Sequence, residues 1–341
     1  MRAMMLVAVI CAAATAAVAH AQGSGDADAI RYWELPTGSH LAYVRIPGAR
    51  GGHLPPVLYL HGGPGAYEVA SIREYGPLAQ RWTRLGFDVY FYDQVGSGLS
   101  TRLRDPTQYT VARHVADVEA IRATLGVGRL ILIGESWGAS LGAHYIALHP
   151  QHVARAVFVS PGGVDLAGSD PQSTPRFDAE MLAWVRDHRS REEYRRCLAV
   201  DRLLAHDIHV LYRRVGDATL DALLDAWLTQ AILVRTVHDS SVVRGARMSG
   251  MGWWVWTMTN WDQRTHALPI RPALRRFNEP VLVLHGLSDY MPDTVAAEYG
   301  ALFPHARTVH VPDAGHLLWA DQPEAFAREI AHFLAQEAGA T

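Results

Sequence analysis

The chain contains no lysine, and all 31 of its basic residues are arginine. That absence excludes Schiff-base catalysis, a phosphate-loop lysine and a lysine general base. Cysteine is almost missing too, with only Cys11 and Cys197 present. Cleavage of an N-terminal signal would leave Cys197 alone, so no intramolecular disulfide is expected, and a chain with a large core does not need one. Excess positive charge is also lacking. The formal net charge of -3 at pH 7 comes with no basic stripe, which argues against nucleic acid as a partner. The most apolar stretch, 6–18, is short and alanine-rich, so no stable membrane insertion is expected. Together with Arg2 before it and Ala19-His20-Ala21 after it, it reads as a cleavable export signal over 1–21. A mature, periplasmic or secreted protein starting at Gln22 follows, with a retained anchor as the alternative.

What the chain does contain is core material: 49% of its 341 residues are hydrophobic and 19% are charged. Apolar strand-length runs alternate with helical patterns from about residue 30 to 163 and again after 279. Such alternation implies an α/β fold with a mostly parallel sheet and helices on both faces. Strands are expected at 30–35, 40–46, 57–60, 87–92, from 130, 156–160, from 281, and 308–311. Between 165 and 278 no strand pattern appears. Helical stretches at 177–188, 191–206 and 220–237, with a cluster of Trp253, Trp254, Trp256 and Trp261, point to a helical cap. The expected organisation is therefore signal 1–21, core 22–164, cap 165–278 and core 279–341. One or two of the clustered tryptophans should line a substrate pocket, since a small cap cannot easily bury all four.

The chemistry centres on Gly134-Glu135-Ser136-Trp137-Gly138, placed between an apolar run and a helix-forming segment. A serine held in a sharp strand-to-helix turn needs glycine two positions either side, because larger side chains would collide there. Ser136 is thus the candidate nucleophile. Asp289 and His316 each follow a strand pattern and complete the order Ser, Asp, His. In these roles His316 takes the proton of Ser136, and Asp289 fixes the imidazole's tautomer. Asp165 and Asp313 are rival acids. The amides of Gly63, in His61-Gly62-Gly63-Pro64-Gly65, and of Trp137 would form the oxyanion hole. Asp93-Gln94-Val95-Gly96-Ser97-Gly98-Leu99-Ser100 reads as scaffold at the carboxyl edge of the sheet. His144, His149 and His152 lie close in sequence, as do His206 and His209. Neither set has a carboxylate or cysteine at a recognised metal spacing, so they read as solvated helix faces and no metal or other cofactor is expected.

These three loops together resemble the proline iminopeptidase branch of the α/β-hydrolases, with its HGGPG loop, its DQ-x-G-x-G-x-S loop and its G-x-SWG elbow. The resemblance covers about 32–163 and 280–334. It implies a metal-free serine peptidase that removes an N-terminal residue, often proline, from short peptides. Members of that branch are expected to hold the substrate's amine with cap carboxylates, commonly a glutamate after a cap tryptophan. Here Ala226-Trp227-Leu228 offers none. Glu135, Glu180, Glu192, Glu193 and Asp239 are the alternatives, and Trp227, Trp253 and Trp254 are candidate substrate contacts. A carboxylesterase or lactone hydrolase on the same scaffold is the second reading, and a non-catalytic binding protein the third. The sequence leaves the oligomeric state open.

Overall fold

The computed structural model describes residues 29–49, 54–164, 217–266 and 268–338. Eight strands form one sheet: β1 (Arg31–Glu34), β2 (His40–Ile46), β3 (Val57–Leu60), β4 (Val89–Tyr92), β5 (Leu130–Glu135), β6 (Val153–Val159), β7 (Val281–Gly286) and β8 (Ala306–Val311). Their order is β1-β2-β4-β3-β5-β6-β7-β8. β1 pairs antiparallel with β2, and β2 antiparallel with β4, while every later pair is parallel. The two antiparallel strands at one end follow from the tight turn between β1 and β2, where Gly38 donates its amide to Leu35 at 2.8 Å.

The five strands β3 to β7 are buried at every position, as strands covered on both faces must be. Alternate side chains then feed two separate cores. Leu58, Leu60, Leu130, Leu132, Phe158, Val281 and Val283 point to one. Helices Val111–Thr124, Trp137–Leu148 and Asp293–Leu302 close that face with residues such as Val118, Leu141 and Tyr299. Val57, Tyr59, Ile131, Ile133, Val157, Leu282 and Leu284 point to the other, closed by Trp82 of helix Ile72–Thr83 and by Phe326 and Ile330 of helix Pro323–Ala338.

Strand β3 lies between β4 and β5, so the chain's crossovers leave it in opposite directions. In an open α/β sheet such a reversal opens a crevice beyond the carboxyl ends of the strands. The loops after β3, β4 and β5 carry the three motifs to that crevice.

Within 217–278 the described residues form helices and no strand, as expected. The helix expected over 220–237 runs from Asp217 to Ala231 and gives way to a short 3-10 turn, Leu233–Arg235. The tryptophan cluster itself is helical, in Trp253–Thr265. Asp221 accepts from the Trp253 amide at 2.8 Å, and Asp225 accepts from Gly250 and Met251 at 3.0 and 3.1 Å, which fastens these two helices together. The helices expected at 177–188 and 191–206, the segment 1–21, and Asp165, Glu180, Glu192, Glu193, His206 and His209 lie outside the described residues. No helix among those described is long and apolar enough to cross a membrane.

Candidate active site

Strand β5 ends at Glu135 and helix Trp137–Leu148 starts one residue later, leaving Ser136 alone to make the turn. It does so at φ 55° and ψ -120°, a conformation that costs a non-glycine residue of order 1–3 kcal/mol and tends to mark functional sites. The glycines on either side are there for space. A Cβ on Gly134 would stand 2.5 Å from the Gly138 carbonyl oxygen, and one on Gly138 would overlap the Leu60 carbonyl. The turn is locked by its own backbone, with the Ser136 amide donating to Val159 O and the Ser136 carbonyl accepting from Gly162, each at 2.9 Å. Trp137 opens the helix, so its amide belongs to the first turn and has no intrahelical acceptor. Its indole is buried and donates to Gln263 Oε1 at 2.9 Å, which ties the elbow to helix Trp253–Thr265.

Asp289 and His316 meet as expected. Asp289 follows β7, has its carboxylate sealed from solvent, and accepts the Met291 amide at 2.8 Å. His316 Nδ1 lies 2.9 Å from Asp289 Oδ1 and 3.0 Å from Oδ2. A carboxylate cannot donate when ionised, so Nδ1 carries the proton and Nε2 is left as the basic nitrogen. Burial pulls the His316 pKa down, but the charge and hydrogen bond of Asp289, with Glu135 adding to them, outweigh it and leave the pKa raised. Tyr290 packs on the imidazole with ring centroids 4.5 Å apart. The rival Asp313 is largely exposed, with its nearest basic partner, His238, at 3.8 Å.

The two glycine-rich loops brace each other. His61 is fully buried, and burial lowers its pKa to about 4, so the ring is neutral. Its Nε2 accepts the Gln94 amide at 2.9 Å, while Gln94 Nε2 donates back to His61 O at 3.0 Å. Asp93 accepts the amides of Glu68, Val69 and Leu99 at 2.7, 3.0 and 2.8 Å. Ser97 donates to Gln94 O within its own loop. These residues hold the loop's shape, which is the scaffold role expected of them. Gly252, at the start of the tryptophan helix, donates to Gly65 O at 2.8 Å, and a Cβ on Gly65 would stand 2.8 Å from Gly252 O. The oxyanion-loop candidate and the helical segment thus touch backbone to backbone.

Ser136, His316, Glu135, Gly62 and Gly63 line one cavity of about 620 Å³. Its far wall comes largely from 228–256 and is mostly apolar, with Leu228, Met248, Met251 and Trp256, and carries one cationic side chain, Arg247. Trp256 meets the expectation that the tryptophan cluster reaches the pocket. Trp227, Trp253 and Trp254, the candidates singled out by sequence, are not among the lining residues. Trp253 and Trp254 are buried in the core and Trp227 packs against it. Helical phase explains the difference, since two residues turn the helix by roughly 200° and carry Trp256 away from the face of Trp254.

Among the described residues, two carboxylates line the cavity, and both come from the α/β core. Glu135 is buried and accepts from the Tyr59 hydroxyl at 2.6 Å. Glu68 is buried three residues past Gly65. Sequence reasoning passed over Glu68, because an acid just after the glycine-rich loop carries no periodic signal. Two acids of the described part of the cap are occupied elsewhere: Asp239 caps its own turn through Ser241, and Asp262 accepts the Val111 amide at 2.8 Å. His144 is not on a solvated face; it is buried, with Nδ1 2.8 Å from Ser140 O.

An imidazole fixed by a sealed carboxylate, lining the same cavity as a hydroxyl on a strained turn at a helix N-terminus, is equipped for proton transfer and oxyanion stabilisation. Residues 55–323 match the alpha/beta hydrolase fold family, and the chain belongs to it. It is accordingly an enzyme of the hydrolase class. Among curated relatives, the proline iminopeptidase of Levilactobacillus brevis is 24% identical, over 88% of this chain and 95% of that protein. That of Lactiplantibacillus plantarum is 25% identical, over 88% and 99% respectively. Among solved structures, an esterase from Exiguobacterium antarcticum superposes with a TM-score of 0.62 at 14% identity, covering 89% of this chain and 98% of that one. The likeness to the esterase is one of fold.

Proposed function

We propose that the chain is a serine hydrolase working through an acyl-enzyme, and that it releases N-terminal residues from short peptides. The observation that carries the proposal is the Asp289–His316 pair facing the same cavity as Ser136. His316 Nε2 takes the proton of Ser136 Oγ as that oxygen attacks the carbonyl carbon, and later gives it to the leaving amine. The amides of Gly63 and Trp137 receive the charge that develops on the carbonyl oxygen. Water, activated by the same imidazole, then frees the acyl group. A substrate's ammonium would be costly in so apolar a cavity without an anionic partner. Glu135 and Glu68 supply the negative charge, in place of a glutamate on the cap. The two proline iminopeptidase relatives support this substrate class.

The apolar far wall and the engagement of Asp221, Asp225 and Asp262 with backbone amides favour a second reading, hydrolysis of carboxylic esters or lactones. Aminoacyl arylamides with free and blocked N-termini, assayed beside short acyl esters, separate the two. The peptidase reading expects cleavage only where the amine is free. Strong ester turnover, with no preference for the free amine, would decide for the other.

The same proposal includes export, with residues 1–21 removed, and a lid role for 165–278. N-terminal sequencing of the protein from periplasm or medium should begin at Gln22. Intact Met1 in a membrane fraction would contradict it.

A further inference from the structure

A second group of ligand-type side chains lies away from the cavity, where helix Val111–Thr124 meets the 3-10 turn Pro150–His152. Glu119 comes from that helix, His149 from the end of helix Trp137–Leu148, and His152 from the turn. One ligand atom of each lies within 4.8 Å of the other two, and all three residues are half-buried. His152 Nδ1 is 3.0 Å from Glu119 Oε2. The His149 and His152 rings are stacked, parallel to within 8° with centroids 5.8 Å apart. Glu119 is held in place by neighbours: Tyr145 donates to Oε2 at 2.7 Å, and Arg122 donates to Oε1 at 2.6 Å and, through Nε, to Oε2 at 3.1 Å. Hydrogen-bonded carboxylates of this kind orient the ligands of metal centres.

We propose that Glu119, His149 and His152 form a Zn2+ site, with water completing a four-coordinate shell. Two imidazole nitrogens and one carboxylate oxygen suit zinc, whereas calcium and magnesium take oxygen shells. Bonds of about 2.0–2.2 Å place neighbouring tetrahedral ligands roughly 3.3–3.5 Å apart. The present His152–Glu119 separation therefore needs to open by only a few tenths of an ångström. The ion takes the place of the proton between them, and the ring proton moves to Nε2 of His152. Arg122 keeps Oε1 and its Nε releases Oε2, which it now holds at 3.1 Å, so Glu119 binds the ion through Oε2 alone.

The site stands beside the first residue of β6, at the opposite end of the sheet from the strand ends that carry Ser136 and Asp289. An ion there joins helix Val111–Thr124 to the start of a central strand, which makes it a structural clamp rather than part of the reaction. Sequence spacing missed it because Glu119 lies 30 positions before His149.

The test uses the full chain, stripped of metal and titrated with Zn2+, beside the variants His149→Ala, His152→Ala and Glu119→Gln. The unmutated protein should bind one tightest ion and melt several degrees higher with it. Each ligand variant should weaken that binding at least about 100-fold, beyond the roughly 10–100-fold loss that removing an outer partner such as the Tyr145 hydroxyl causes. A crystal grown with one equivalent of zinc should show its anomalous peak between these three side chains, a readout that does not depend on any variant folding. Equal affinity in all the proteins, or an anomalous peak elsewhere with none here, overturns the proposal.

Discussion

Replacing Glu135 by glutamine removes one charge from the cavity while keeping the side chain's shape, and takes from His316 only the last of the influences that raise its pKa. The side chain is 4% exposed and accepts from Tyr59 at 2.6 Å, and the amide oxygen of glutamine can accept the same bond. If Glu135 helps to hold a substrate's ammonium, the variant loses a hydrogen bond to a charged group, worth about 1.5–3 kcal/mol. Specificity for free-amine substrates should then fall roughly 10- to 150-fold in kcat/KM. Ester or N-blocked substrates of the same acyl group lack that contact and should change little. The assay is the ratio of kcat/KM for a free aminoacyl arylamide to that for the matched blocked compound, in both proteins. An equal loss for both compounds would mean that Glu135 acts on the elbow or on His316 and not on the amine. No loss for either would remove it from substrate recognition.

Because His316 must be neutral to accept a proton and its pKa is raised, the acid limb of kcat/KM should lie above the ordinary histidine value of 6.5. Asp289→Asn should move that limb downward and cost several orders of magnitude in kcat, read from a pH–rate profile. Gly138→Ala drives a Cβ into the Leu60 carbonyl and should cost about 3 kcal/mol or more in thermal unfolding, whereas Gly128→Ala, with nothing near its Cβ, should stay within about 0.5 kcal/mol. Asp93→Ala strands two buried amides and a part-buried one and should lose at least about 3 kcal/mol by denaturant unfolding while leaving Ser136 and His316 chemically intact.

The sheet was legible because its central strands are buried on both faces and so read as short, unbroken apolar runs such as Val57–Leu60 and Leu130–Ile133. Ser136 and Asp289 stood out for a related reason, since each directly follows such a run or the loop after it, whereas His316 follows the half-exposed edge strand β8 and stood out through the order Ser, Asp, His. What sequence could not supply was phase and distance. Trp253, Trp254 and Trp256 are alike in composition, and only the docking of their helix on Gly65 decides that Trp256 faces the cavity. Glu68 and Glu119 carry no local pattern, and their neighbours come from other elements. Glu135 was visible beside the serine, yet its contact with Tyr59 crosses from one strand to the next.

The central claim is that Ser136 is a nucleophile activated by His316. The most direct measurement is intact-protein mass spectrometry after treatment with a fluorophosphonate, with the adduct mapped by peptide sequencing. One stoichiometric adduct on Ser136 is expected, absent in Ser136→Ala and formed far more slowly in His316→Ala. An unlabelled native protein, or an adduct that persists in Ser136→Ala, would contradict it.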